Sequence, residues 1–295
     1  MTTRYVGIGG NDGNSGLTWA LRKLTLNGVE DTPVVAGDTV YVGPGTYREE
    51  LTCDVSGGAG TPITYIGDYS GDNTDGVGGV VRITGSDDDI TTTRNYCIHI
   101  SVKNYRTFQG IKVDLSVSYS VYSVGAVSNL IIDECYFGAT DVQGFFGSGN
   151  LTDSTIKNCI FKKGYSGGLP AIAFWHWATV DDTGNAIDNC IMANNYSGIY
   201  SQRIGGITIR NSTITGSVYA IRVEQALGAG QSVTVNNCII YGNQHAFNAV
   251  NLGEIVEDYN SVSNNITDRT NVAVGGNSNT YPPLFDSRWF FETVR

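Results

Sequence analysis

Charge is scarce in this sequence. Lys, Arg, Asp and Glu make up 16% of its 295 residues, against about 25% in an average domain. That excludes a helical bundle, whose long solvent faces are coated with Lys and Glu. Basic residues are the scarcer sign, leaving a net charge of −10 and a pI near 4.7. No basic stripe is visible, and such a field would repel phosphate, so nucleic acid is not expected as a partner. No apolar run approaches the roughly 18 residues of a bilayer-spanning helix, so no membrane insertion is expected. The opening "MTTRYVGIGGNDGNSG" has no basic region followed by an apolar one, so it does not read as a secretory leader. The expectation is that the protein stays inside, that it leaves by lysis or as part of an assembly, or that a leader has been trimmed from it. Only three histidines are present, His99, His176 and His245, and no serine lies in a nucleophile-elbow sequence. The six cysteines, Cys53, Cys97, Cys135, Cys159, Cys190 and Cys238, form neither a Cys-x-x-Cys pair nor a Cys-His cluster. Metal ligation is therefore not expected of them.

Glycine (38) and tyrosine (17) are abundant, as suits an all-β chain with many turns. Residues 37–52 read "GDTVYVGPGTYREELT": two short β-type runs joined by Gly43-Pro44-Gly45, with no two-residue hairpin turn between them. The partner of such a strand must then lie elsewhere. An internal repeat supplies it. The segments 131–137 (IIDECYF), 155–161 (TIKNCIF), 186–192 (AIDNCIM), 208–214 (TIRNSTI) and 234–240 (TVNNCII) align, with Cys or Ser at 135, 159, 190, 212 and 238. A second set also aligns: 142–148, 169–175, 196–202, 218–224 and 244–250. Units of this size cannot bury their own apolar face, but stacked copies can. Each strand is expected to pair with its equivalent one coil away, and Gly43-Pro44-Gly45 to form a corner.

In that arrangement Asn158, Asn189, Asn211 and Asn237 occupy one corner, with Glu134 and Gly110 before them. Asparagine tolerates left-handed backbone, and its amide can bond the next amide in a stack. Cys135, Cys159, Cys190 and Cys238 point inward, interrupted by Ser212 and Ile111. Redox or metal chemistry is one reading of this file; a ladder of small apolar side chains is the favoured one.

The stretch 37–52, the following "TPITYIGD" (61–68) and the Asn-Cys-x-Phe coils resemble the right-handed parallel β-helix proteins of the pectate-lyase-like superfamily, over roughly residues 35–265. The resemblance implies a single all-β solenoid of about ten coils with an N-terminal capping helix. The expected division is 1–34 as cap, 35–268 as β-helix and 269–295 as an aromatic capping or docking segment. Asn14 or Ser15 is expected to cap a helix carrying Leu17, Ala20, Leu21 and Leu24 on one face. The tail 281–295, with Tyr281, Phe285, Trp289, Phe290 and Phe291, either packs over the last coil or docks another copy or a larger particle.

That superfamily holds lyases, glycosidases, epimerases, adhesins and bacteriophage tail proteins, so the resemblance does not select a function. Outward positions of the second strand set are Phe146, Ala173, Trp175, Tyr200, Gln202, Arg222, Glu224 and Asn248. A lyase of this kind would need several carboxylates around calcium, and the stripe has only Glu224. A glycosidase would need two placed carboxylates; Asp181-Asp182 and Asp87-Asp88-Asp89 lie in loops. The remaining feature is "AFWHWATV" (173–180). Trp175, His176 and Trp177, with Tyr200, Arg203, Arg222 and Glu224, form the candidate surface for a sugar ring; the alternative is that a Trp plugs the core. The favoured expectation is a non-catalytic structural or adhesive rod, virion- or surface-associated like a phage tail protein, bearing a polysaccharide or cell-surface glycan site and needing no cofactor. The alternative is a lyase or glycoside hydrolase acting on an acidic polysaccharide, with calcium as cofactor in the lyase case.

Overall fold

The computed structural model describes residues 1–32, 34–138, 143–162, 169–180, 183–227 and 231–280; of residues 176–180 it describes the backbone alone. Among these residues the chain winds through three long parallel sheets, with a two-stranded fourth formed by Val127–Ser128 and Leu151–Thr152. The first sheet has ten strands, from Thr3–Val6 and Thr39–Val42 through Ile131–Asp133 to Ile255–Asp258. The second has nine, from Gly45–Tyr47 to Ser261–Ser263. The third also has nine, from Leu51–Cys53 to Thr267–Thr270. Nine gaps at the usual strand spacing make the first sheet roughly 43 Å deep.

Thr39–Val42 pairs in parallel with Thr3–Val6 on one side and Ile63–Gly67 on the other, while Gly45–Tyr47 pairs with Val81–Thr84 in the next sheet. Gly43 and Pro44 thus turn the chain from one sheet to another. The repeat alignment holds residue by residue: Ile132, Ile156, Ile187, Ile209 and Val235 are consecutive partners in the first sheet. All five are buried, as are Phe137 and Phe161, whose rings stack at 4.1 Å. Alternation places these side chains inside and their neighbours outside.

One corner is set by backbone conformation. Gly110, Glu134, Asn158, Asn189, Asn211, Asn237 and Tyr259 all have φ between 51° and 67°. Asn189 Nδ2 donates to Asn158 Oδ1 at 2.8 Å and Asn237 Nδ2 to Asn211 Oδ1 at 2.7 Å. Between these pairs the chain of amides is broken, because Asn211 donates to Asp188 and Asn158 to Asp133. The residues one position on, Cys135, Cys159, Cys190, Ser212 and Cys238, are buried. Asn260 continues the file, its Oδ1 accepting from the Cys238 N–H at 2.8 Å.

The N-terminal helix does not lie where apolar spacing places it. Gly16 adopts φ 71°, and Leu17, Leu21 and Leu24 are exposed. A short 3-10 turn covers Trp19–Leu21, and the α-helix runs over Leu26–Asp31. Asp12 decides this start. Its carboxylate accepts the N–H groups of Leu24 and Thr25, and the Thr25 hydroxyl in turn accepts from the Gly28 N–H, so Thr25, not Asn14 or Ser15, is the N-cap. Leu26 and Val29 face the core. The segment 281–295 lies outside the described residues.

Candidate functional site

The outer face of the third sheet carries a long run of half-buried aromatic side chains. Along one ladder row His99, Tyr122, Phe146, Ala173, Tyr200, Arg222 and Asn248 are successive partners. Beside it run Tyr96, Tyr119 and Gln143, and further on Ser197, Tyr219 and His245. The rings touch from coil to coil. Tyr96 stacks on Tyr119 at 5.9 Å, Tyr119 on Phe146 at 4.4 Å, His99 on Tyr122 at 5.5 Å, and Phe146 meets Trp175 at 6.1 Å. After the small Ala173 the track resumes with Tyr196, Tyr219 and His245. Ala173 lies outward in register but is fully buried, flanked in the ladder by Phe146 and Tyr200; it contributes no exposed surface.

Where the two halves of the track meet, a cleft of about 550 Å³ opens. Tyr122, Phe146, Trp175, Tyr200, Arg222 and Glu224 are among its lining. Glu224 owes its position to a β-bulge. Ser201 pairs with Val223, but Gln202 pairs with Gln225, which leaves Glu224 without a residue opposite. Its carboxylate accepts from the Tyr200 hydroxyl and from Arg222 Nη2, the latter at 2.8 Å. The Arg222 guanidinium lies 4.7 Å from the Tyr219 ring centre and 6.0 Å from that of Tyr200. Burial, and then the Glu224 carboxylate, push the Tyr200 phenol well above its ordinary value, so it stays protonated.

Of the residues singled out by sequence, the structure brings Trp175, Tyr200, Arg222 and Glu224 to one cleft. Arg203 follows Gln202 at φ 63° and is not part of the cleft lining. The side chains of His176 and Trp177, and residues Asp181 and Asp182, lie outside the described residues. Asp87 and Asp89, both exposed, pair with Arg94, and with Arg48 and Arg82, and do not line the cleft. The sequence reading missed Tyr96, His99, Tyr119 and Tyr122. The signal was present: carrying the second-strand alignment back through "SYSVYSV" and "NYCIHI" sets Tyr and His in the same register as Phe146.

No protein family matches the sequence, and no curated protein resembles it. Solved structures do match in shape. Pectate lyase Pel9A superposes with a TM-score of 0.67 at 14% identity, over 95% of this chain and 79% of its own. A rhamnogalacturonan lyase gives 0.61 at 15% identity, over 95% of this chain and 87% of its own. The lacto-N-biosidase from Eubacterium ramulus gives 0.59 at 12%, over 92% of this chain and 57% of its own.

The fold is the right-handed parallel β-helix of pectate-lyase-like proteins.

At these identities the likeness is one of fold alone. The β-helix proteins named here are enzymes of polysaccharides and glycans, and the comparisons give no support to the phage-tail part of the resemblance. Calcium, which a lyase of this fold would call for, does not suit the described lining of the cleft. Calcium takes six to eight oxygen ligands, several of them carboxylates. Among the described residues the lining has one carboxylate, Glu224, already paired with Arg222. Among the described residues no three His, Cys, Asp or Glu side chains cluster so as to hold a metal.

Proposed function

We propose that the protein acts on a polysaccharide laid lengthwise over the third sheet, with Glu224, Tyr200 and Arg222 as its reacting centre. The observation that carries this reading is the bulge. An aromatic track suited to sugar C–H faces leads into a cleft where one extra residue turns a carboxylate onto a tyrosine hydroxyl and an arginine. In this reading Glu224 takes a proton from the water whose oxygen bonds to the anomeric carbon, and Tyr200 gives its proton to the departing sugar oxygen as the glycosidic bond breaks. The proton on Glu224 then returns to Tyr200 along their hydrogen bond, with Arg222 compensating the carboxylate charge. Fold neighbours that include polysaccharide lyases support a ligand of this class.

A second reading, adhesion without cleavage, is favoured by one observation. Among the described residues the cleft lining supplies a single carboxylate, whereas paired-carboxylate glycoside hydrolysis uses two. One experiment separates the two. The protein is incubated with a polysaccharide panel while new reducing ends and ultraviolet absorbance from unsaturated products are both followed. Glu224→Gln is expected to lower turnover at least about a hundredfold while binding persists. Wild-type binding with neither product would remove the catalytic reading and leave adhesion, and Trp175→Ala would then be expected to weaken it.

A further inference from the structure

The charge on this face is as informative as its rings. Over the outward rows of the third sheet, from Tyr96 to His245, the described arginines are Arg222, held 2.8 Å from Glu224, and Arg203, which follows Gln202 outside the cleft lining and is itself engaged. The second acid of the face, Glu50, sits 3.7 Å from His99. Other arginines are committed elsewhere: Arg48 and Arg82 to Asp89, Arg94 to Asp87. The chain as a whole carries −10. From the described side chains, then, a polymer lying on this track meets rings, amides, hydroxyls and acids, and at the cleft a single arginine, Arg222, already neutralised by Glu224.

Two residues of the cleft lining add to this. Gln143 and Ser197 are buried, and among the described residues Gln143 Oε1 and Ser197 Oγ have no hydrogen-bond partner. A carbonyl oxygen accepts from a hydroxyl and repels a carboxylate. The seven strands from Tyr96–Ser101 to His245–Asn248 place the track over about 29 Å at ordinary strand spacing, a length that several sugar rings occupy. A polyuronate would bring one carboxylate per ring into that length. Each would lose water without gaining a cation, which is costly.

We infer that the ligand is a neutral polysaccharide, not a polyuronate. The inference rests on the reading of the third sheet as a polysaccharide site, and departs from the acidic polymer expected from the sequence. Its carbohydrate is recognised by stacking along the track and by hydroxyl hydrogen bonds at the cleft, with no charge pairing.

Affinity electrophoresis and calorimetry on the full chain test it. The probes are a galactan, a mixed-linkage β-glucan and a galactomannan as neutral polymers, with polygalacturonate and alginate as acidic ones, at low and high salt. At least one neutral polymer is expected to bind about tenfold or more tighter than either acidic one, and to be indifferent to salt. Tyr122→Ala and Phe146→Ala are expected to weaken that binding about tenfold. Tyr122→Phe, which keeps the ring, is expected to retain it and shows that loss in Tyr122→Ala is not misfolding. Equal or tighter binding of an acidic polymer, abolished by salt and by Tyr122→Ala, would overturn the inference while leaving the site where it is. Binding of no polymer would overturn the inference together with the reading beneath it.

Discussion

A thiol inside this rod faces carbonyl oxygens and other sulfurs. Cys159 Sγ donates to Lys157 O at 3.0 Å, Cys190 Sγ to Asp188 O at 3.3 Å, and Cys238 Sγ to Asn236 O at 3.3 Å. All six cysteines are buried and unpaired. Burial pushes the thiols of Cys53, Cys97 and Cys238 up to about 12, and that of Cys159 upward as well, from an ordinary value of 9.0. Thiolate is the reactive form, so the native protein is expected to resist a disulfide reagent at pH 8 and to release six equivalents only on unfolding. The sign for stability follows from proton linkage. The folded state holds these protons more tightly, so their contribution is complete below pH 9 and is lost as pH climbs through about 12. Urea midpoints measured from pH 8 to 11 are expected to fall, and a flat profile would count against a buried thiol file.

At the scale of the coil, the turn at the asparagine corner is a backbone requirement before it is a contact. Left-handed backbone costs an ordinary L-residue roughly 1–2 kcal/mol, and asparagine and glycine much less. Asn189, at φ 51°, also donates to Asn158, a bond contributing about 1 kcal/mol. Asn189→Ala is therefore expected to lower unfolding free energy by about 2 kcal/mol, and Asn189→Gly, which keeps the turn but loses the amide, by about half as much. Chemical denaturation of the two variants side by side measures the difference. This corner was legible because backbone strain selects residue type locally. The helix start was not, because Asp12 acts on Leu24 and Thr25 from outside the window in which helical spacing is read.

Over the whole molecule, the cap is tied to the rod by charge as well as by apolar packing. Glu30 of the helix Leu26–Asp31 meets Arg106, 76 residues on, in a bidentate pair at 2.6 and 2.8 Å, both side chains fully buried. The Tyr65 hydroxyl donates to Glu30 at 2.5 Å, and Arg106 Nε donates to Val55 O at 2.7 Å. Breaking such a pair strands a charge without water. Glu30→Ala is expected to cost about 3–5 kcal/mol, whereas Glu30→Leu with Arg106→Met is expected to recover most of that loss. In a solenoid, where each coil rests on its neighbours, the single variant is expected to free the N-terminal coils first, with hydrogen exchange there rising ahead of that in the last coils.

The sequence by itself determined the coil. Period-two alternation, a left-handed corner and a stackable core are short-range demands, and each coil repeats them within about 25 residues. Thus Asn158, Cys159 and their equivalents could be aligned, and the parallel pairing inferred, without coordinates. The outward stripe of Phe146, Trp175, Tyr200, Arg222 and Glu224 followed from that alignment too. Only tertiary structure decided which of these side chains touch, and that Tyr119 and Tyr122 stack with Phe146 into one track. Glu224 reaches Tyr200 because a single unpaired residue shifts the ladder between Ser201 and Gln202. Register between coils depends on the length of every intervening loop, and no local pattern encodes that sum.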